Sequence, residues 1–121
     1  MIKAFLLLAF MGTFSFSGGA THIMGGDITW TCQGGDYVFQ LVIYRDCNGA
    51  DISTISEEIK VWGHPTVNAI QCAFISRNDV SPFCTEVASG PEALACGNGA
   101  NTGNGLGAIE KIVYQSAPKA L

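Results

Sequence analysis

The alternation of apolar and polar positions is clearest from Tyr37 to Cys47 (Tyr-Val-Phe-Gln-Leu-Val-Ile-Tyr-Arg-Asp-Cys), the longest unbroken block of strand-forming residues beyond the amino-terminal twenty. At period two, Tyr37, Phe39, Leu41 and Ile43 share one face, while Val38, Val42 and Tyr44 share the other with only Gln40 between them. A strand apolar on both faces belongs inside a two-layer fold, so the segment predicts a central strand. Upstream, Ile28, Trp30 and Cys32 alternate with Asp27, Thr29 and Thr31, the pattern of a strand with one wet side. Between the two lies Gln33-Gly34-Gly35-Asp36, and glycine tolerates the positive φ of a tight hairpin turn. A hairpin over residues 26–45 follows.

Downstream, Asn48-Gly49 marks a turn and Asp51-Ile52-Ser53-Thr54 a polar loop. A third strand is expected over 55–62, with Ile55, Glu57, Ile59 and Val61 opposite Ser56, Glu58, Lys60 and Trp62. Gly63-His64-Pro65 ends it, since proline donates no ladder hydrogen bond. A weaker strand pattern spans 66–75, and a clear one returns at 109–115 around Ile112, Val113 and Tyr114. From Ser76 to Gly107 the alternation dissolves into Asn78, Asp79, Pro82, Pro91 and the glycine- and asparagine-rich run 97–107. A loop of this length inside a small domain needs tethering or is mobile. These elements add up to an all-β fold, an incomplete β-sandwich with a long Gly/Asn-rich loop.

Residues 1–20 change the compartment. Lys3, the apolar run from Ala4 to Phe16 and the small residues Gly18-Gly19-Ala20 have the layout of a secretory signal peptide. The run is shorter than the roughly 20 apolar residues of a membrane span and is interrupted by Gly12, Thr13 and Ser15. Cleavage after Ala20 leaves residues 21–121 as one module of 101 residues, with no membrane span. Loss of Lys3 leaves five basic residues of the original six against ten acidic ones, a net charge of −5. The basic residues are scattered, so direct nucleic-acid binding is disfavoured.

Behind a signal peptide, Cys32, Cys47, Cys72, Cys84 and Cys96 are disulfide candidates before they are catalytic thiols. In the proposed hairpin Cys32 and Cys47 lie far apart along the ladder, so they should not pair with each other. Cys72 with Cys84 closes a short loop around Pro82 and is the preferred pair. Five cysteines leave one unpaired within the chain.

Nothing else carries chemistry. No two cysteines have zinc-finger spacing, and His22 and His64 are isolated. Asp46, Asn48 and Asp51 lack the ligand ladder of a calcium loop and fit turn chemistry. Gly103-Asn104-Gly105-Leu106-Gly107 precedes a strand rather than a helix, so it is not a phosphate loop. Glu57 and Glu58 point to opposite faces and cannot act on one substrate. No catalytic residue, metal site or cofactor is therefore expected. Trp30, Trp62 and Tyr44 could form an exposed platform for a surface glycan; filling the core is the simpler expectation for such rings.

The segments His22-Ile23-Met24-Gly25-Gly26-Asp27-Ile28, Tyr37-Val38-Phe39-Gln40-Leu41 and Tyr44-Arg45-Asp46-Cys47-Asn48-Gly49 resemble the amino-terminal module of large secreted surface proteins of Bacteroidetes-type bacteria. Cys84-Thr85-Glu86 and Ile112-Val113-Tyr114 are similar to later segments of the same module. The resemblance implies a non-enzymatic, adhesin-like module. It would be followed in its parent by Ig-like or PKD-like repeats and a gliding-motility-associated sorting domain used by type IX secretion. It also implies that the Ig-like sandwich here is truncated at its carboxyl end, and that the odd cysteine has a downstream partner. The expected partners are downstream domains of the parent chain and a surface glycan or protein.

Overall fold

The structure, a computed structural model, describes residues 23–82, 94–99, 101–105 and 107–121. The expected leader (residues 1–20), His22 and the segment Cys84-Thr85-Glu86 lie outside the described residues. The chain is all-β. Five strands, β1 (Ile23–Gln33), β2 (Asp36–Asp46), β3 (Ser56–Lys60), β4 (Ala69–Asp79) and β5 (Ile109–Ser116), form one curled antiparallel sheet in the order β1-β2-β5-β4-β3. A second sheet is absent among the described residues.

The hairpin is as expected. Gln33 pairs with Asp36, and Gly34 and Gly35 between them adopt φ of 63° and 95°. Both central residues of the turn thus occupy the left-handed region, which two glycines fill without strain. β2 lies inside the sheet, paired to β1 and β5, but the middle position belongs to β5. The reason is that β5 bridges the hairpin to the β3–β4 pair: Leu41 sits beside Tyr114 and Ile43 beside Ile112, while Phe74 and Arg77 flank the same two residues from β4. β4 runs four residues beyond its expected end at Ile75, and a register irregularity between Phe74 and Ser76 lets its polar half, Ser76–Asp79, stay paired with β5.

The core lies on one face. Ile70, Cys72, Ile112 and Tyr114 are buried, and Phe39, Leu41, Ile43, Ile59 and Phe74 pack against them from the strands. Ile52, Val61 and Val67 close over this end from the connections. The Tyr114 ring meets Phe74 edge-on at 6.0 Å, and its hydroxyl donates to the Ser53 carbonyl at 2.5 Å. On the opposite face of β2 only Val38 and Val42 are buried, Val38 beside Thr31 and Val42 between Asp27 and Val113.

β1 departs from expectation. All its residues are exposed, with Ile28 51% and Trp30 62% accessible. Its apolar positions lie on the core side of the sheet, beside Leu41 and Phe39, but the covering loops do not reach this edge. The expectation that Trp30 fills the core is therefore corrected. Near the start of the strand, a Cβ on Gly26 would fall 2.6 Å from the Val42 carbonyl oxygen. Gly26→Ala is expected to push β1 away from β2 and lose about 1–3 kcal/mol, as overpacking does, read as a lowered urea midpoint.

Candidate functional site

The most constrained part of the molecule is the end of the sheet where β2 runs out and β5 begins. Arg45 continues the Tyr37-Phe39-Leu41-Ile43 face by one further step of two, so the period that builds the core also carries a guanidinium into it. Its side chain is only 1% accessible. Nε donates to Glu110 Oε1 at 2.6 Å, and Nη2 also pairs with that carboxylate. Nη1 donates to the carbonyls of Gly49 (2.9 Å) and Ala50 (2.5 Å), and Nη2 to that of Gly99 (3.4 Å). One side chain thus ties the loop after β2 and the glycine-rich run to β5.

Glu110 is flanked on its other side by Arg77, whose Nε lies 3.5 Å from Oε2. Arg77 Nη2 donates to Asp51 Oδ1 at 2.7 Å and to the Ile52 carbonyl at 3.1 Å. The four charges alternate in sign, and buried charges persist only when paired in this manner.

Beside this network a disulfide joins Cys47 to Cys96, with Cα atoms 5.5 Å apart and a sequence separation of 49. Cys47 and Ala108 share a backbone hydrogen bond of 2.9 Å, and Thr102 N donates to the Cys47 carbonyl. Asp79 holds the other half: its carboxylate accepts from the backbone N–H groups of Cys96 (2.7 Å) and Ser81 (2.9 Å) and from the Ser81 hydroxyl. The described part of the glycine-rich run is therefore tethered. The preferred Cys72–Cys84 bridge is corrected: Cys72 carries a free thiol, buried in the core, and burial pushes its pKa up. Cys32 is also free, and exposed, so the expectation that Cys32 and Cys47 do not pair holds. Cys84 is outside the described residues.

Burial alone would raise the Asp79 carboxyl, but the hydrogen bonds from Ser81 and the Cys96 N–H outweigh it and hold its pKa below the usual carboxylate range. The Arg77 hydrogen bond does the same for Asp51 against a smaller opposing effect of burial. Both folded-state values lie below the unfolded ones, so the stabilisation is complete above the ordinary carboxylate pKa of about 4 and is lost as pH falls through the lower folded values. The urea midpoint is expected to be flat from neutrality to about pH 5 and to fall below about pH 4, and Asp79→Asn should reduce that slope.

The other residues singled out in the sequence do not converge. Asp46 Oδ1 accepts from the Asn48 N–H, Asn48 Nδ2 donates to Gly105, and Asp51 is engaged by arginine, so the three make turns and tethers. His64 Nδ1 accepts from the Thr66 and Val67 N–H groups. Among the described residues no group of three or more His, Cys, Asp or Glu is placed to hold a metal ion. Trp30 and Trp62 are both exposed, Trp62 at 90%, but they sit at opposite edges of the sheet. Tyr44 is half-buried on the face opposite Trp30, so the three rings form no common platform. Trp62 instead borders an open hollow of about 520 Å³ with Glu58, Lys60 and Asn68.

The sequence reading missed Arg45 and Glu110 as an organising pair. The available signal was a charged residue at the next period-two position of an otherwise apolar face, on each of two strands. Against protein-family models, curated proteins and solved structures, the chain finds no match. Among the described residues no helix is long and apolar enough to cross a membrane, a statement that does not bear on β-barrels.

Proposed function

We propose that the chain is a non-enzymatic extracellular or cell-surface module of a larger adhesin-like, gliding-motility-associated protein, its sheet forming one half of an Ig-like sandwich. The observation that carries this reading is the division of the sheet. One end is locked by a disulfide and a buried arginine, while the apolar side of β1, with Ile28 and Trp30, stands uncovered. The disulfide suits an oxidising compartment, the leader-like residues 1–20 would deliver the chain there, and the uncovered apolar side fits a second layer. The resemblance of the Tyr44–Gly49 segment adds the surface-protein context.

The test is export and activity in a native-type host. The tagged chain should be reached by protease on intact cells, should lose that accessibility when residues 1–20 are deleted, and should show no hydrolysis of peptide, ester or glycoside substrates. Retention inside the cell, or a hydrolase activity abolished by one substitution, overturns the proposal.

A second reading, a carbohydrate-binding module, draws on Trp62. Its ring is open to solvent beside hydrogen-bonding groups of Glu58 and Asn68, the combination that stacks and anchors a sugar. Glycan-array binding lost in Trp62→Ala would favour it; no binding by the intact chain removes it.

A further inference from the structure

We infer that β1 is a self-pairing edge: two copies of this chain join antiparallel through β1, about a twofold axis at Thr29, into one continuous sheet. The backbone sets the direction. Tyr37 exchanges both of its polar groups with Lys119, and the Phe39 N–H donates to Ser116, so odd-numbered residues of β2 point toward β5. Even-numbered ones then point toward β1, where their partners are Gln33, Thr31, Thr29 and Asp27. The N–H and C=O groups of Gly26, Ile28, Trp30 and Cys32 consequently face outward, along an exposed strand.

Edge strands that must stay single are guarded by lysine, proline or inward charges. β1 has no proline and one charge, Asp27. Its pattern is self-complementary in one register. With the axis at Thr29, Ile28 faces Trp30 of the second copy and Gly26 faces Cys32, so every outward group from 26 to 32 finds a partner. Asp27 then lies opposite a threonine, Thr31, and the two like charges are kept apart. Registers centred on Ile28 or Trp30 instead place Cys32 opposite the irregular stretch at Met24, or Gly26 opposite the turn at Gly34. The paired edge also sets Ile28 and Trp30 side by side across the joint, on the same face as Leu41 and Phe39, and shields the edge-facing flank of each from water.

Sedimentation and crosslinking of the full chain decide it. The chain should sediment with the mass of two copies at micromolar concentration. Ile28→Pro, which deletes an outward N–H without touching the β1–β2 ladder, and Trp30→Lys should each sediment as one copy while keeping the strand signal in circular dichroism. In a Cys32→Ser background, Thr29→Cys should oxidise to a linked dimer, because a non-hydrogen-bonded pair on the axis has Cα atoms about 4.5 Å apart. Thr31→Cys should not, since its copies lie four residues apart along the strand, about 13 Å. A single-copy mass at every concentration, which would leave the edge to another protein's strand, overturns the inference. So does a dimer that survives both edge variants, or equal crosslinking at positions 29 and 31.

Discussion

Arg45→Met is expected to lower the unfolding free energy by about 3–5 kcal/mol, the loss that follows when one partner of a buried ion pair is removed and the other stays behind. Glu110 would be left almost wholly buried with only Arg77 at 3.5 Å, and the carbonyls of Gly49, Ala50 and Gly99 would lose their common donor. Methionine approximates the length of the stem, so most of the loss is electrostatic and hydrogen-bonding rather than packing. The double variant Arg45→Met/Glu110→Leu should recover a large part of it, since removing both charges abolishes the uncompensated burial. Urea unfolding followed by circular dichroism measures the cycle. A loss under about 1 kcal/mol for Arg45→Met would mean that the loops at this end of the sheet are held by something else.

Opening the disulfide comes next. Closing a loop of this length restricts the unfolded chain by about 4 kcal/mol in the loop-entropy treatment. Replacing Cys47 and Cys96 together by alanine should lower stability by roughly 2–5 kcal/mol, the range found for small exported domains. The effect should be larger on the run around Gly99 and Thr102 than on the hairpin. Among the described residues Cys96 reaches the sheet through the disulfide, Asp79 and Ser81, whereas β1 and β2 are held by ten register pairs of their own. Amide exchange should therefore quicken first at the N–H groups of Gly97, Thr102 and Ala108.

What could be read beforehand follows the range of the interaction. The hairpin was legible because its signals are local, with two glycines between alternating runs, and the strand around Ile112 for the same reason. The end of β4 was not legible, since Ser76-Arg77-Asn78-Asp79 has no strand pattern of its own and is a strand because β5 pairs with it. The Cys47–Cys96 bond was not legible: its partners meet because the chain after β4 returns to the end of β2, and no spacing rule encodes that return. Trp30 shows the limit of periodicity. Alternation placed it on the apolar face, but whether that face is covered depends on how far Ile52, Val61 and Val67 extend across the sheet, which is a property of the assembled fold.

The organising claim is that the loop end of the sheet is fixed covalently between β2 and the glycine-rich run, with the core thiol left free. Proteolysis of the unreduced, alkylated chain followed by mass spectrometry tests it most directly. The account predicts one peptide pair joining Cys47 to Cys96, with alkyl groups on Cys32 and Cys72. A peptide pair joining Cys72 to Cys84, or Cys47 recovered alkylated, would contradict it.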